Sequence, residues 1–146
     1  MKAHHKVIVF IARKKGNSYE WLARRNAPSP EHGGDRWYVV TGNVDAGELP
    51  EHAAKREVAE ETGINKITKL VELPIVNTYE SDKYAGAKFT EYGFLCLADF
   101  AGKVKLNEES TTAEWLTLND FIAKIWWDDD KAKLQKILHE AITKVS

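Results

Sequence analysis

Three glutamates, Glu57, Glu60 and Glu61, stand in the run Arg56-Glu57-Val58-Ala59-Glu60-Glu61. On a helix, Glu60 and Glu61 lie within about 60° of Glu57, one on each side, so the three carboxylates share an arc about 100° wide. Like charges three and four residues apart destabilise an isolated helix. A divalent cation among the oxygens removes that penalty, and hard oxygen ligands select magnesium, calcium or manganese over zinc. Ala54 and Val58 occupy a neighbouring face and anchor the helix to the core, which puts the carboxylates at the core's edge. Arg56 is placed to reach back to Glu48 or across to Glu60 and so to hold a metal-binding carboxylate in position. A metal on such a ladder, with basic residues elsewhere in the chain, suits a phosphate substrate. It neutralises phosphate oxygens and activates an attacking water.

The charge distribution carries the same message. The 146 residues hold 21 Lys+Arg and 22 Asp+Glu, a net charge of −1. That balance argues against a nucleic-acid polymer or an anionic membrane surface as partner. The balance is segregated, however. Residues 1–41 carry eight basic and three acidic side chains, whereas residues 42–64 carry two basic (Lys55, Arg56) and six acidic. A basic N-terminal region therefore faces an acidic segment, as a small anionic substrate and its metal require. Hydrophobic residues at 43% and charged residues at 29% are ordinary for a globular chain of one domain, residues 1–146. The single cysteine, Cys96, excludes an internal disulfide and a cysteine zinc site. It lies in an apolar run, Gly93-Phe94-Leu95-Cys96-Leu97-Ala98, and reads as a buried hydrophobe. No apolar run approaches a membrane span. The first residues read as the approach to a strand and not as a leader, so the expected location is cytoplasmic.

The elements that must position the glutamates follow from pattern. Lys6–Ala12 is a β-branched buried strand and Tyr19–Arg25 its hairpin partner across a turn-prone segment. Residues 26–35, with two prolines and two glycines, form a loop. Arg36–Val40 is a third strand and Thr41–Gly47 a loop with two glycines. Pro50–Thr62 is a helix, opened by proline in its first turn and stopped by Gly63. Ile67–Tyr79 and Lys88–Phe100 are strands, and Glu114–Leu118 is a short one. Asn119–Ile125 and Asp130–Val145 are helices, the latter with an apolar stripe through Leu134, Ile137, Leu138, Ala141, Ile142 and Val145. Strands and helices mix without regular βαβ alternation, which favours an α+β fold or an α/β sandwich on a mixed sheet.

The segment Gly42–Ile64, GNVDAGELPEHAAKREVAEETGI, resembles the Nudix box, G-x5-E-x7-R-E-U-x-E-E-x-G-U with U aliphatic. Gly42, Glu48, Arg56, Glu57, Val58, Glu60, Glu61, Gly63 and Ile64 fill its fixed positions. The resemblance implies an α/β/α sandwich that hydrolyses a nucleoside diphosphate linked to another moiety, by water attack at phosphorus with magnesium (or manganese). It implies that Glu57, Glu60 and Glu61 are metal ligands, with Glu57 also a base. Glu48 and Arg56 orient them, and Thr41 offers its backbone carbonyl to the metal. Where many members carry Pro-Gly-Gly, this chain has Thr41-Gly42-Asn43. The stretch RWYVVTGNVDAGE is similar instead to the form found in dihydroneopterin triphosphate and deoxyadenosine triphosphate pyrophosphatases. By that likeness Arg24, the first of a double arginine, contacts phosphate. Glu91 and Glu109 echo a strand glutamate and an acidic residue before Trp115-Leu116, and Glu109 is a further metal-ligand or base candidate. Tyr79 stands roughly where dinucleoside polyphosphate hydrolases place a tyrosine, which makes such a hydrolase the rival within the class. A non-hydrolytic Nudix-fold binding module is the rival outside it, though such modules usually lose carboxylates that this chain keeps.

Trp37 and Tyr38 adjoin the box. Consecutive strand residues face opposite ways, so one turns to the core and one away, and each is a candidate for base stacking. Trp126-Trp127 before Asp128-Asp129-Asp130 reads as a hydrophobic staple with an acidic helix start, with a wall of the substrate pocket as the alternative. His4 and His5 read as terminal residues. His32, His52 and His139 lack a partner at zinc spacing. The substrate is therefore expected to be a small nucleotide, its base, sugar and leaving group undecided, with specificity in residues 26–36 and 80–88 and in the last helix.

Overall fold

The computed structural model describes residues 3–26, 36–81, 87–106 and 110–145. Among these, the β-branched and aromatic runs pair into one mixed sheet of seven strands. The strands are β1 (Ala3–Lys15), β2 (Ser18–Asn26), β3 (Trp37–Tyr38), β4 (Val40–Asn43), β5 (Ile67–Ser81), β6 (Ala87–Ala98) and β7 (Ser110–Leu116). The order across the sheet is β3-β2-β1-β6-β5, with β4 also paired to β1 and β7 to β2. β1 and β6 run parallel, in register from Ala3 opposite Lys88 to Arg13 opposite Ala98, and the other described pairs are antiparallel.

Alternation along β1 sends side chains to two cores. Val7, Val9 and Ile11 face one side, where α1 (Pro50–Thr62) covers them with Ala53, Ala54 and Val58. Ile8, Phe10 and Ala12 face the other. There α2 (Leu118–Lys124) contributes Phe121 and Ile122, and α3 (Lys131–Val145) contributes Leu134, Leu138 and Ile142. A helix layer on each face of a mixed sheet is the α+β, three-layer arrangement expected. Pro50 opens α1, and Gly63 closes it at φ 78°, a left-handed cap whose N–H donates to the Ala59 carbonyl at 2.9 Å. Cys96 is fully buried, and burial pushes its thiol up to about 12.

Several boundaries differ from expectation for identifiable reasons. β1 begins at Ala3, so His4 and His5 are strand residues and not a loose terminus. Pairing with β6 extends the strand, and the His4 ring stacks on Phe89 at 5.0 Å. The third strand divides because it changes partners: β3 pairs with β2, Val39 intervenes, and β4 pairs with β1. Thr41, Gly42 and Asn43 are therefore ladder residues and not loop. β7 lies earlier than expected and ends at Leu116, where Thr117 caps α2 by accepting from the Asp120 N–H. Asp130 precedes α3, its Oδ1 accepting from the Ala132 N–H at 2.9 Å. Residues 27–35 and 82–86, which hold most of the two expected specificity loops, lie outside the described residues.

Phe121 is fully buried between Phe10 (ring centroids 6.3 Å apart) and Trp21 (5.9 Å). Replacing it with alanine opens a cavity under α2. The expected cost is about 3–5 kcal/mol of unfolding free energy, measured by urea denaturation.

Candidate active site

The acidic segment is organised by one guanidinium. Arg56 Nε donates to Glu48 Oε2 at 2.9 Å and its Nη2 to Glu48 Oε1 at 3.0 Å, a two-point fork. Nη2 also donates to the Asn43 carbonyl at 2.8 Å, tying α1 to the end of β4. Nη1 donates to Glu57 Oε1 at 2.8 Å and to Glu60 Oε2 at 3.3 Å. Glu48 is set from the other side by the Asp45 N–H at 3.0 Å. The Arg56 bonds first, and this amide second, pull the Glu48 carboxyl down to about 2. The same contacts raise the Arg56 proton affinity.

The three box glutamates occupy different environments. Glu60 is exposed and Glu57 half-buried, and both converge on one cationic nitrogen of Arg56. Glu57 packs into a hollow beside β4, where a Cβ on Gly42 would overlap its Cγ, Cδ and Oε1 atoms. Glu61 turns inward. It is 3% exposed, and its Oε1 accepts from Arg24 Nη2 at 2.6 Å. Among the described residues no three acidic or histidine side chains already surround a common point. The donor set still fits a hard divalent cation: two carboxylates lie within hydrogen-bond reach of one positive centre, and a backbone hollow shaped for one of them admits no side chain.

Arg24 is placed otherwise than expected for a phosphate contact. It is 3% exposed, bonded to Glu61 and to Ser110 Oγ (2.8 Å), and its Nε has no hydrogen-bond partner among the described residues. Its position on β2, beside β7 and beneath α1, makes it the counter-charge of a box glutamate. Glu109 lies outside the described residues.

On the opposite face of the sheet a cleft of about 770 Å³ opens beside β4. Thr41 lines it, one residue from the Gly42 hollow. Tyr38 and Trp126 form one wall, their rings edge-to-face at 5.7 Å, and the Arg36 guanidinium lies 4.1 Å over the Trp126 ring. Trp126 and Trp127 are thus cleft residues, because the Trp126 N–H donates to the Trp37 carbonyl at 2.8 Å and draws the α2–α3 connection against β3. Trp37 does not line the cleft; both it and Tyr38 pack against the core under α2 and α3, contrary to the expectation that one turns away, and Lys124 Nζ lies 4.4 Å from the Trp37 ring. Tyr79 lines the cleft and stacks on Phe89 at 5.5 Å. Glu91 is 8% exposed, accepts from Asn77 Nδ2 at 3.2 Å, and has its carboxyl proton affinity raised chiefly by burial. Burial likewise raises the Tyr38 phenol, with Glu91 second. Sequence reasoning missed Asn77, Lys6, Arg36 and Asp128 as cleft residues. The legible signal was Glu91 itself, a charge at a position where β6 otherwise alternates Phe89 and Gly93 toward the interior.

A three-layer sandwich on a mixed sheet, with a glutamate-rich helix laid over a glycine strand end, is the arrangement that the likeness of Gly42–Ile64 to the Nudix box implies. The NUDIX domain model matches residues 2–136, and the chain belongs to the Nudix hydrolase family. A putative nudix hydrolase of Caenorhabditis elegans is 32% identical over 117 residues, 77% of this chain. The chain spans only 28% of that relative's length. Among solved structures, a C. elegans Ap4A hydrolase in a binary complex is similar in fold, with a TM-score of 0.72 at 23% identity and 97% of each chain covered. The Escherichia coli dihydroneopterin triphosphate pyrophosphohydrolase gives 0.70 at 22%, covering 92% of this chain and 95% of its own. Among the described residues no helix is long and apolar enough to cross a membrane.

Two measurements check this geometry. Arg24→Ala removes the counter-charge from a buried carboxylate and is expected to cost about 3–5 kcal/mol of stability in denaturant titration. A rise in KM with stability unchanged would return Arg24 to the phosphate. Arg56→Ala is expected to move the Glu48 carboxyl from about 2 toward about 4.3, followed by NMR titration. Because the folded-state value is depressed, the stability from this contact is present above the ordinary carboxylate range. It is lost as the pH falls toward 2, and the variant should lack that acid-side decline.

Proposed function

We propose that this chain is a divalent-metal-dependent pyrophosphohydrolase of nucleoside or nucleotide-like triphosphates, with a monophosphate and pyrophosphate as products. The observation that carries this reading is the junction at β4. Thr41 belongs to the cleft and the adjacent Gly42, on the other face of β4, to the glutamate hollow, so the two lie one residue apart, a span that a substrate with a head group and a phosphate chain covers around the strand. Glu57 and Glu60, with the Thr41 carbonyl, would hold magnesium or manganese, and Glu61, expected as a third ligand, would join them only by leaving its buried pair with Arg24. Such an ion supplies charge neutralisation at phosphate oxygens and a more acidic water. Glu57 is the base candidate, since it is half-buried, fixed by Arg56 and packed against Gly42, one residue from Thr41 of the cleft. Glu48 and Arg56 are positioning residues. Substrate binding falls to Tyr38 and Trp126 and not to Trp37. The whole chain is read as one Nudix unit acting on a small molecule.

A second reading, hydrolysis of a dinucleoside polyphosphate, is favoured by Tyr79, which reaches the same cleft at 40% exposure. Diadenosine tetraphosphate assayed beside nucleoside triphosphates separates the two.

Glu57→Gln keeps the side chain's shape and removes its charge. Turnover with magnesium is expected to fall by at least about 100-fold, with circular dichroism unchanged. Phosphorus NMR identifies the products, and chelation of divalent cations should abolish the parent rate. A variant at full rate, or a parent that binds nucleotide without releasing pyrophosphate, would overturn the proposal.

A further inference from the structure

β4 meets three different surroundings in successive residues. Thr41 lines the cleft, Gly42 forms the glutamate hollow, and Asn43, with Val44 after it, lines a second cavity of about 290 Å³. Lys6 lines both cavities, so the second continues the first. His4 and His5 complete its polar wall. Consecutive strand residues face opposite ways, and a cavity touched by both therefore wraps the edge of β1 from the cleft face toward the α1 face. That edge is open because β4 leaves the ladder at the Lys6–Asn43 pair, after which the Val44 N–H donates to the His5 carbonyl at 2.9 Å. Two residues from His5 on the α1 face, Val7 stands opposite Gly42, against which Glu57 packs. The cavity is thus a passage from the cleft around β1 toward the glutamates.

Its lining selects a class of ligand. Among the described residues it offers two imidazoles and an ammonium, and no carboxylate, which is the wall of an anion site. Packing holds these groups in place. The His4 ring stacks on Phe89 at 5.0 Å, the His5 ring is tilted against Tyr92 at 5.7 Å, and Lys6 Nζ lies 5.3 Å over the Phe89 ring. Lys6 also stands opposite Glu91 on β6 and divides its charge between the cleft floor and the passage, so the two histidines are its dedicated donors. A space of about 290 Å³ beside a cleft of about 770 Å³ suits a short anion and not a second head group. We propose that this passage binds the β- and γ-phosphates of the substrate, and the pyrophosphate they become, with His4, His5 and Lys6 as its N–H donors. The inference rests on the hydrolase reading for the origin of the ligand, but pyrophosphate binding is measured without turnover.

The test titrates pyrophosphate, with orthophosphate for comparison, into the nitrogen-labelled full chain in chelator-containing buffer, so that no metal carries the anion, and follows the imidazole signals by NMR. Pyrophosphate is expected to shift the signals of His4 and His5 and to leave that of His139, on α3, in place. It should bind at least about tenfold more tightly than orthophosphate, which engages fewer donors at once. In His4→Ala/His5→Ala, and separately in Lys6→Met, pyrophosphate affinity should fall at least about tenfold with the remaining spectrum unchanged. Signals of His4 and His5 that stay still up to millimolar pyrophosphate, equal affinity for the two anions, or parent affinity in the double variant would each overturn the inference. Any of these in a chain that releases pyrophosphate from a triphosphate would leave the hydrolase reading standing alone. Pyrophosphate held at His4 and His5 by a chain that hydrolyses no triphosphate would sustain the inference and refute that reading.

Discussion

Carboxylates crowded on one helix face repel one another, and this fold answers with Arg56. Its fork holds Glu48, its remaining nitrogen holds Glu57 and Glu60, and a further bond reaches the Asn43 carbonyl. Each contact connects a different piece of chain: the loop before α1, α1 itself and the last residue of β4. The acidic segment keeps its shape because a single planar cation, with donors in fixed directions, is matched on several sides. A lysine has the charge but not the fork, and would leave Glu48 or the strand end unbound.

The second charged pair does a different job. Arg24 and Glu61 meet below α1 in a site closed to water, so their attraction is little screened and their separation would be costly. This fixes the height of α1 above β2 and β7 through Ser110. The exposed and buried glutamates thus divide the work. Glu57 and Glu60 remain on the open side, where they can change partners, while Glu61 anchors the helix that carries them.

Much of this was legible from residue order. The spacing of Glu57, Glu60 and Glu61, the proline and glycine bounding α1, and the alternation in β1 are local signals, and each specifies its own element. Arg56 reaching Glu48 was legible because both lie in one loop-helix segment. The fate of Arg24 was not, because its burial depends on β7 arriving beside β2 from 86 residues away. Alternation would have sent Trp37 and Tyr38 to opposite sides, but both pack on one core, and which of them met the cleft was decided by where β3 ends and β4 begins. Asn77 escaped notice because one amide in a long strand acquires meaning only opposite Glu91, and strand register is a property of two segments.

Gly42 contributes the absence of an atom. Its hollow is filled by the Glu57 carboxylate, and any other residue would put a carbon where that group rests. Even alanine there would require the Glu57 carboxylate to move. A change at this strand residue would therefore be felt not in β4 itself but in the helix that faces it, as a displaced carboxylate.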